Sequence, residues 1–257
     1  SLIIATKNGV VKKTPLEEYS RPRANGIIAV NLREEDALIG VVLVKEGDEV
    51  MLATRGGMTL RFSEADARDV GRNSTGVRGI KLMPDDEVIG LVVTEPEGQL
   101  LTVCQNGYGK RTPFGPNSAG GEAEGGDGEE AEETAAEAVE SGDGEESAPA
   151  SAMRYRLQRR GGKGVRDIKT EGRNGPVIAV AAVRDGQDVI LVTKNGMVNR
   201  TPADQIRQCG RNTKGVRLIN LKTEDQLVSV AVVEQDPEPP TDESAGQESP
   251  AAPDTEA

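Results

Sequence analysis

The chain has no histidine and no tryptophan, only two cysteines, and five aromatic residues in 257. Each scarcity removes a class of function. Without histidine there is no Ser–His–Asp triad, no histidine acid–base pair and no histidine ligand for a metal. Cys104 and Cys209 lie 105 residues apart, so neither a zinc-type CxxC pair nor a disulfide framework is present. Cys104 sits in an apolar run and is expected in the core. The aromatics are Tyr19, Tyr108, Tyr155, Phe62 and Phe114. They are too few for the stacking platforms of single-strand binders and RNA-reading sheets. Tyr108 is expected to pack on a strand. No apolar run approaches the ~20 residues of a membrane span, and no signal peptide is visible. A cytoplasmic setting with no membrane partner is expected.

Catalytic chemistry is missing by motif as well. There is no Asp-x-Asp pair for magnesium. Gly161-Gly162-Lys163-Gly164 hints at a phosphate loop, but Gly164 stands where Ser or Thr should follow the lysine. No catalytic residue, metal site or cofactor is expected in this chain.

Bases are absent from two segments. Residues 117–150 carry twelve acids and residues 234–257 carry eight, with no Lys or Arg in either. Both are poor in apolar residues and are expected to be disordered. The net charge of −12 is therefore misleading, because 23 acids and 31 bases remain elsewhere, about +8. A basic body with acidic appendages points to a polyanionic partner and to built-in competitors for it.

What is present is a repeat. Four stretches share a strand, a two-residue turn and a second strand: Ile3–Thr14, Met51–Phe62, Leu101–Thr112 and Ile190–Thr201. Their turn glycines, Gly9, Gly57, Gly107 and Gly196, are spaced 48, 50 and 89 apart. Gly26, Gly76, Gly164 and Gly215 follow at spacings of 50, 88 and 51. Both series keep one period of about 49 once the acidic insert is removed, which marks an array of equal units. Asn-Gly and Gly-Gly pairs form tight hairpin turns. Ile27–Val30, Val88–Val92, Val177–Val180 and Leu227–Val233 read as further short strands. The expected fold is all-β and propeller-like, with four-stranded blades at 1–49, 50–99, 100–116 plus 151–188, and 189–233, a disordered acidic insert at 117–150 and an acidic tail at 234–257. The chain opens at Ser1 without methionine and reads as a piece of a longer protein.

Each unit also carries a basic glycine loop. These are Arg21–Gly26, Gly71–Arg78, Gln158–Arg166 and Gly210–Arg217. Their candidate nucleic-acid ligands are Arg21, Arg23, Arg72, Arg78, Gln158, Arg159, Arg160, Gly161, Gly162, Lys163, Gly164, Arg166, Arg211, Lys214 and Arg217. Lys and Arg hold phosphates, and glycine admits backbone N–H groups at close range. Lys12, Lys13, Arg61, Lys110, Arg111 and Arg200, just past the hairpin turns, are expected to extend the strip. A curved row of cations suits a bent duplex. Bending a site of 20–30 base pairs costs on the order of 1–6 kcal/mol, which distributed phosphate contacts must offset. The expected partner is duplex DNA.

At these residues the chain resembles the DNA gyrase A C-terminal domain. Gln158–Gly164 matches that family's Gln-[Arg/Lys]-Arg-Gly-Gly-[Arg/Lys]-Gly box at every position, and Gly71–Ile80 and Asn106–Thr112 look like stretches of the same domain. The resemblance implies a β-pinwheel whose blades exchange strands and whose basic rim wraps duplex DNA with positive handedness. It implies six blades, so about two more, with the main box, would precede those seen here. Gln158–Gly164 would then be a second copy. It also implies the rest of gyrase A, together with gyrase B, as partners in a heterotetramer. The cleavage tyrosine, ATP site and Mg2+ site of that enzyme would lie elsewhere. The equivalent domain of topoisomerase IV is a rival, but its box is degenerate or absent. A propeller-type protein-interaction scaffold is another. That reading expects acidic or apolar faces and often a Trp-Asp signature.

Overall fold

A computed structural model describes residues 1–116 and 153–235. The expected disorder of 117–150 and almost all of the acidic tail lie outside the described residues. The chain forms fifteen strands among them, with a few short 3-10 turns. Unit one contributes β1 (Leu2–Thr6), β2 (Val10–Thr14) and β3 (Leu38–Leu43). Unit two contributes β4 (Glu49–Thr54), β5 (Met58–Ser63), β6 (Val77–Arg78) and β7 (Val88–Val93). Unit three contributes β8 (Gln99–Cys104), β9 (Tyr108–Pro113), β10 (Val165–Arg166) and β11 (Val177–Val183). Unit four contributes β12 (Gln187–Thr193), β13 (Val198–Pro202), β14 (Val216–Arg217) and β15 (Leu227–Glu234).

The hairpin chemistry repeats. Gly9, Gly57, Gly107 and Gly196 all have φ between +76° and +85°, where a side chain is strained. The hydroxyls of Thr6, Thr54 and Thr193 each accept the N–H four residues on, from Val10, Met58 and Met197, and close the turn. Cys104 takes this place in unit three and is buried, as expected of a core residue.

The strands join as antiparallel sheets ordered β3-β1-β2-β6, β7-β4-β5-β10, β11-β8-β9-β14 and β15-β12-β13. A sheet is therefore not one unit. In the first three sheets the outermost strand comes from the next unit in the chain, and the fourth has three strands rather than the expected four, because no further unit among the described residues donates one. At the opposite edge of the sheets the last strands of the units meet one another, β7 against β3 and β11, and β11 against β15. The core follows these contacts across unit boundaries. Ile3, Val11, Leu52, Leu60, Phe62, Ile80 and Val88 form one buried cluster spanning units one and two. Leu101, Val103, Leu191 and Leu227 form another spanning units three and four.

One strand expectation fails. Ile27–Val30 is not a strand, and the third strand of unit one is β3. Ile27 and Ile28 directly follow Gly26, the phase at which units two to four carry the donated dipeptides β6, β10 and β14. Those dipeptides become strands only by pairing with the preceding unit's second strand. No preceding sheet in this chain receives Ile27 and Ile28, and Ile28 stays exposed.

Candidate nucleic-acid interface

The donated dipeptide organises the rim. Val77 lies opposite Val11 and Arg78 opposite Val10, Val165 opposite Thr59 and Arg166 opposite Met58, and Val216 opposite Gly109 and Arg217 opposite Tyr108. In each, the valine is half-buried and the arginine exposed. Alternation along a strand does this, because successive side chains leave opposite faces. The glycine before each dipeptide has positive φ and lies hard against the preceding unit. A Cβ at Gly76, Gly164 or Gly215 would overlap the carbonyl oxygen of Val11, Thr59 or Gly109. Gly26 shares the conformation but has nothing within 4 Å of that position.

The loops before these glycines divide their bases into two kinds. Arg159, Lys163 and Lys214 are exposed, and so are Arg21 and Arg23. Arg72, Arg160 and Arg211 hold backbone carbonyls of neighbouring loops. Arg72 donates to Ile28 at 2.8 Å and Arg211 to Arg154 at 2.8 Å. Arg160 donates to Asp66 at 3.0 Å and to Arg78. Gln158 is half-buried, and its N–H donates to the Arg61 carbonyl at 2.9 Å. The N–H of Gly161 donates to the Gly79 carbonyl at 2.7 Å, and the Gly162 carbonyl accepts from Lys81 at 2.8 Å. Thus within Gln158–Gly164 only Arg159 and Lys163 present exposed charge.

The bases past the hairpin turns do not extend the rim strip as expected. Lys12, Arg61, Lys110 and Arg111 are buried, at most 4% exposed. Arg61 meets Glu49 at 2.5 Å and donates to the carbonyls of Phe114, Tyr155 and Pro116 at 2.6, 3.0 and 3.2 Å. Burial pulls its guanidinium pKa down, against the opposing pull of Glu49. Arg111 meets Asp185 at 2.6 Å and donates to the carbonyls of Ile206 and Asp204. Lys13 pairs with Glu64 and, at 3.6 Å, with Asp69. Burial works against its charge, but these carboxylates hold its pKa above the ordinary value. Arg200 is exposed yet bound to Asp188 at 2.5 Å. Lys12 and Lys110 point their ammonium groups at loop carbonyls. The physical reason is strand exchange. The second strand of each of the first three sheets is covered by the next unit, so its long cations finish inside, where they must find acceptors.

Counting from the loop glycines finds a row that the sequence reading missed. Arg68, Arg156 and Arg207 each lie eight residues before Gly76, Gly164 and Gly215, and all three are exposed. They run beside the second strands, as the isolated bridges of Asp69 to Lys13, Leu157 to Arg61 and Gln208 to Arg111 show. The same phase count was available from the sequence; Glu18 at that phase hides it in unit one. Tyr108 also does more than pack. Arg173 and Arg217 lie over its ring at 4.8 and 5.5 Å from the centroid, and Arg217 donates to its hydroxyl at 2.9 Å. The ring orients the exposed Arg217 through cation–π attraction. The rim therefore presents exposed arginines at two phases of three successive units, with Lys163 and Lys214 between them in units three and four. Such an array holds phosphates at regular intervals.

Comparisons with known proteins agree with this geometry. The family profile described as "DNA gyrase C-terminal domain, beta-propeller" matches residues 1–45, 48–95, 154–184 and 187–234. The DNA gyrase A protein of Salmonella typhimurium is 39% identical over 230 residues, 90% of this chain and 22% of the relative. The Haemophilus influenzae protein of the same name is 35% identical over 276 residues, 96% of this chain and 27% of the relative. The chain thus spans about a quarter of the length of these relatives. A solved DNA gyrase A C-terminal domain superposes with a TM-score of 0.67 at 22% identity, covering 90% of this chain and 65% of that one. A C-terminal domain of DNA topoisomerase IV superposes with a TM-score of 0.71 at 20% identity, covering 91% and 61%. At such identities the two structures show the shared fold.

Proposed function

This chain belongs to the DNA gyrase C-terminal domain family, and we propose that it binds duplex DNA along its rim and wraps it. The observation that carries the reading is the exposed rim row: Arg78, Arg166 and Arg217 on exchanged strands, flanked by Arg159, Lys163 and Lys214 and by Arg68, Arg156 and Arg207. No single sheet holds the row, so it follows the curve of the array. A duplex that touches successive units must bend with it. The deformation is offset by phosphate contacts spread over many base pairs.

The domain acts without its own chemistry. It presents a wrapped segment to a longer type II topoisomerase, whose strand passage, ATP and Mg2+ sites reside in other parts and in a gyrase B partner. Negative supercoiling by a heterotetramer in the bacterial cytoplasm, on the nucleoid, is the activity this serves. The intact box and the names of its relatives favour gyrase over topoisomerase IV.

The test is binding to linear duplexes of increasing length at several salt concentrations, with a linking-number assay on relaxed circles in the presence of a nicking-closing enzyme. Affinity that grows with length, falls steeply with salt and leaves a linking-number change supports wrapping. Length-independent binding with no linking change contradicts it. Replacing Arg159 and Lys163 together with Gln is expected to reduce the linking change more than the affinity.

A further inference from the structure

The buried lysines three residues past the hairpin glycines join one basic loop to the next. Lys12 donates to the carbonyl of Ala29, three residues past the loop glycine of unit one, at 2.8 Å, and to the carbonyl of Arg72 in the loop of unit two. Lys110 repeats the arrangement. It donates to the carbonyl of Asp167, three residues past the loop glycine of unit three, at 2.7 Å, and to that of Gly210 in the loop of unit four at 2.7 Å. Its ammonium also lies 3.0 Å from the Asp167 carboxylate. Unit two has Leu60 at this phase, and there the loops are joined by the Arg160 guanidinium, which donates to the carbonyls of Asp66 and Arg78, and by backbone, Gly161 to Gly79 at 2.7 Å and Lys81 to Gly162 at 2.8 Å. Every loop-to-loop joint among the described residues therefore has a bridge, and in two of three it includes a buried lysine at the same phase.

A buried ammonium held by carbonyls has no freedom to reach a phosphate. It does fix the distance between the segments whose carbonyls it binds. Those segments carry exposed bases: Asp167 follows Arg166, and Gly210 precedes Lys214 by four residues. We propose that Lys12 and Lys110 are positioning residues that set the spacing between successive phosphate-holding loops, and with it the curvature the rim imposes on duplex DNA. The proposal rests on the wrapping reading above.

Salt dependence separates the two roles. A lost phosphate contact lowers the slope of log K against log salt by about 0.9 on duplex DNA. Lys163→Gln and Lys214→Gln in the intact protein serve as contact controls and are expected to show that loss. Lys12→Met and Lys110→Met are expected to keep the parent slope while the linking-number change at saturating protein falls at least twofold. A slope lowered by about 0.9 in either methionine variant would make that lysine a phosphate ligand and overturn the proposal. An unchanged linking number in both would overturn it equally. Lys110→Met leaves Asp167 buried with only the Thr102 and Tyr155 hydroxyls, each at 2.6 Å. Lys110→Met combined with Asp167→Asn removes both charges if the single variant does not fold. Lys12→Met carries the test independently, since the hydrogen bonds of Lys12 go to carbonyls. A parent protein that fails to bind duplex at low salt, or binds without changing linking number, would instead sink the wrapping reading itself.

Discussion

Arg61 shows how position alone separates a ligand from a staple. It is an arginine on a basic repeat, yet its guanidinium faces Glu49 and three carbonyls from the neighbouring unit. Glu49 is equally buried. A buried pair is weak evidence of net stabilisation, but removing one partner strands the other charge and costs about 3–5 kcal/mol. Arg61→Gln is therefore expected to lose stability of that order in urea titration, whereas Arg159→Gln stays within about 0.5 kcal/mol of the parent, as exposed substitutions do. Equal stability of the two variants would refute the staple. Replacing Glu49 and Arg61 together with apolar residues should cost less than Arg61→Gln alone.

At the scale of the element, the exchanged Gly-Val-Arg strand joins two units. Gly164→Ala meets two obstacles: a left-handed backbone worth about 1–2 kcal/mol for any L-residue, and a Cβ that overlaps the Thr59 carbonyl. Gly26→Ala meets only the first, since nothing approaches its Cβ position within 4 Å. Thermal melts should rank Gly164→Ala well below Gly26→Ala. Equal melting would mean that the exchanged strand does not hold the units together. The hairpin of unit three makes a second prediction. Burial above all, then the Asp167 carboxylate, pushes the Cys104 thiol from 9.0 up to about 12, with Lys110 opposing. The folded state thus keeps this proton longer than the unfolded chain does. The stability it contributes is complete below about pH 9 and is lost as pH rises towards 12. The hydroxyl of buried Tyr155 is shifted upwards as well, by burial and Asp167, and adds to the loss in strong alkali. At pH 8, Cys104 should resist a thiol reagent in the native protein and react once the chain is unfolded in urea. Prompt native labelling at Cys104 would contradict its burial.

The whole molecule is a basic body of about +8 in a chain of net −12. Twelve of the acids lie in 117–150. The flanks of that segment are brought together in the structure. Tyr155 N–H donates to the Phe114 carbonyl at 3.3 Å, and Arg61 donates to the carbonyls of both Phe114 and Tyr155. Excising 117–150 therefore removes acids between flanks that already meet at Phe114 and Tyr155, near the loop that holds Arg159 and Lys163. Twelve local anions compete with phosphate, so the excision is expected to tighten DNA binding at low salt. The gain should fade toward 1 M salt, where the screening length is about 3 Å. Unchanged affinity at low salt would remove the competitor role from the segment.

The period, the hairpin turns and the glycine loops were legible in the sequence because their causes are local. Positive φ selects glycine, tight turns select Asn-Gly, and an array repeats those choices every 49 residues or so. The four-blade, all-β reading and the box loop came from the same signals, helped by the family resemblance. Which cations face solvent was not legible. Lys12, Arg61, Lys110 and Arg111 share residue type and charge with Lys163, Arg166 and Arg217. They differ in what covers them, and much of the cover comes from another unit: Arg72 for Lys12, Phe114 and Tyr155 for Arg61, Gly210 for Lys110, and Asp204 and Ile206 for Arg111. The same distance effect turned Ile27 and Ile28 into coil, since a donated strand exists only where a partner edge receives it. The units and their turns are written into the order of residues, through backbone conformation that each residue settles with its neighbours. The division of the bases into scaffold and rim arises only on folding, because burial depends on residues that strand exchange brings in from the next repeat.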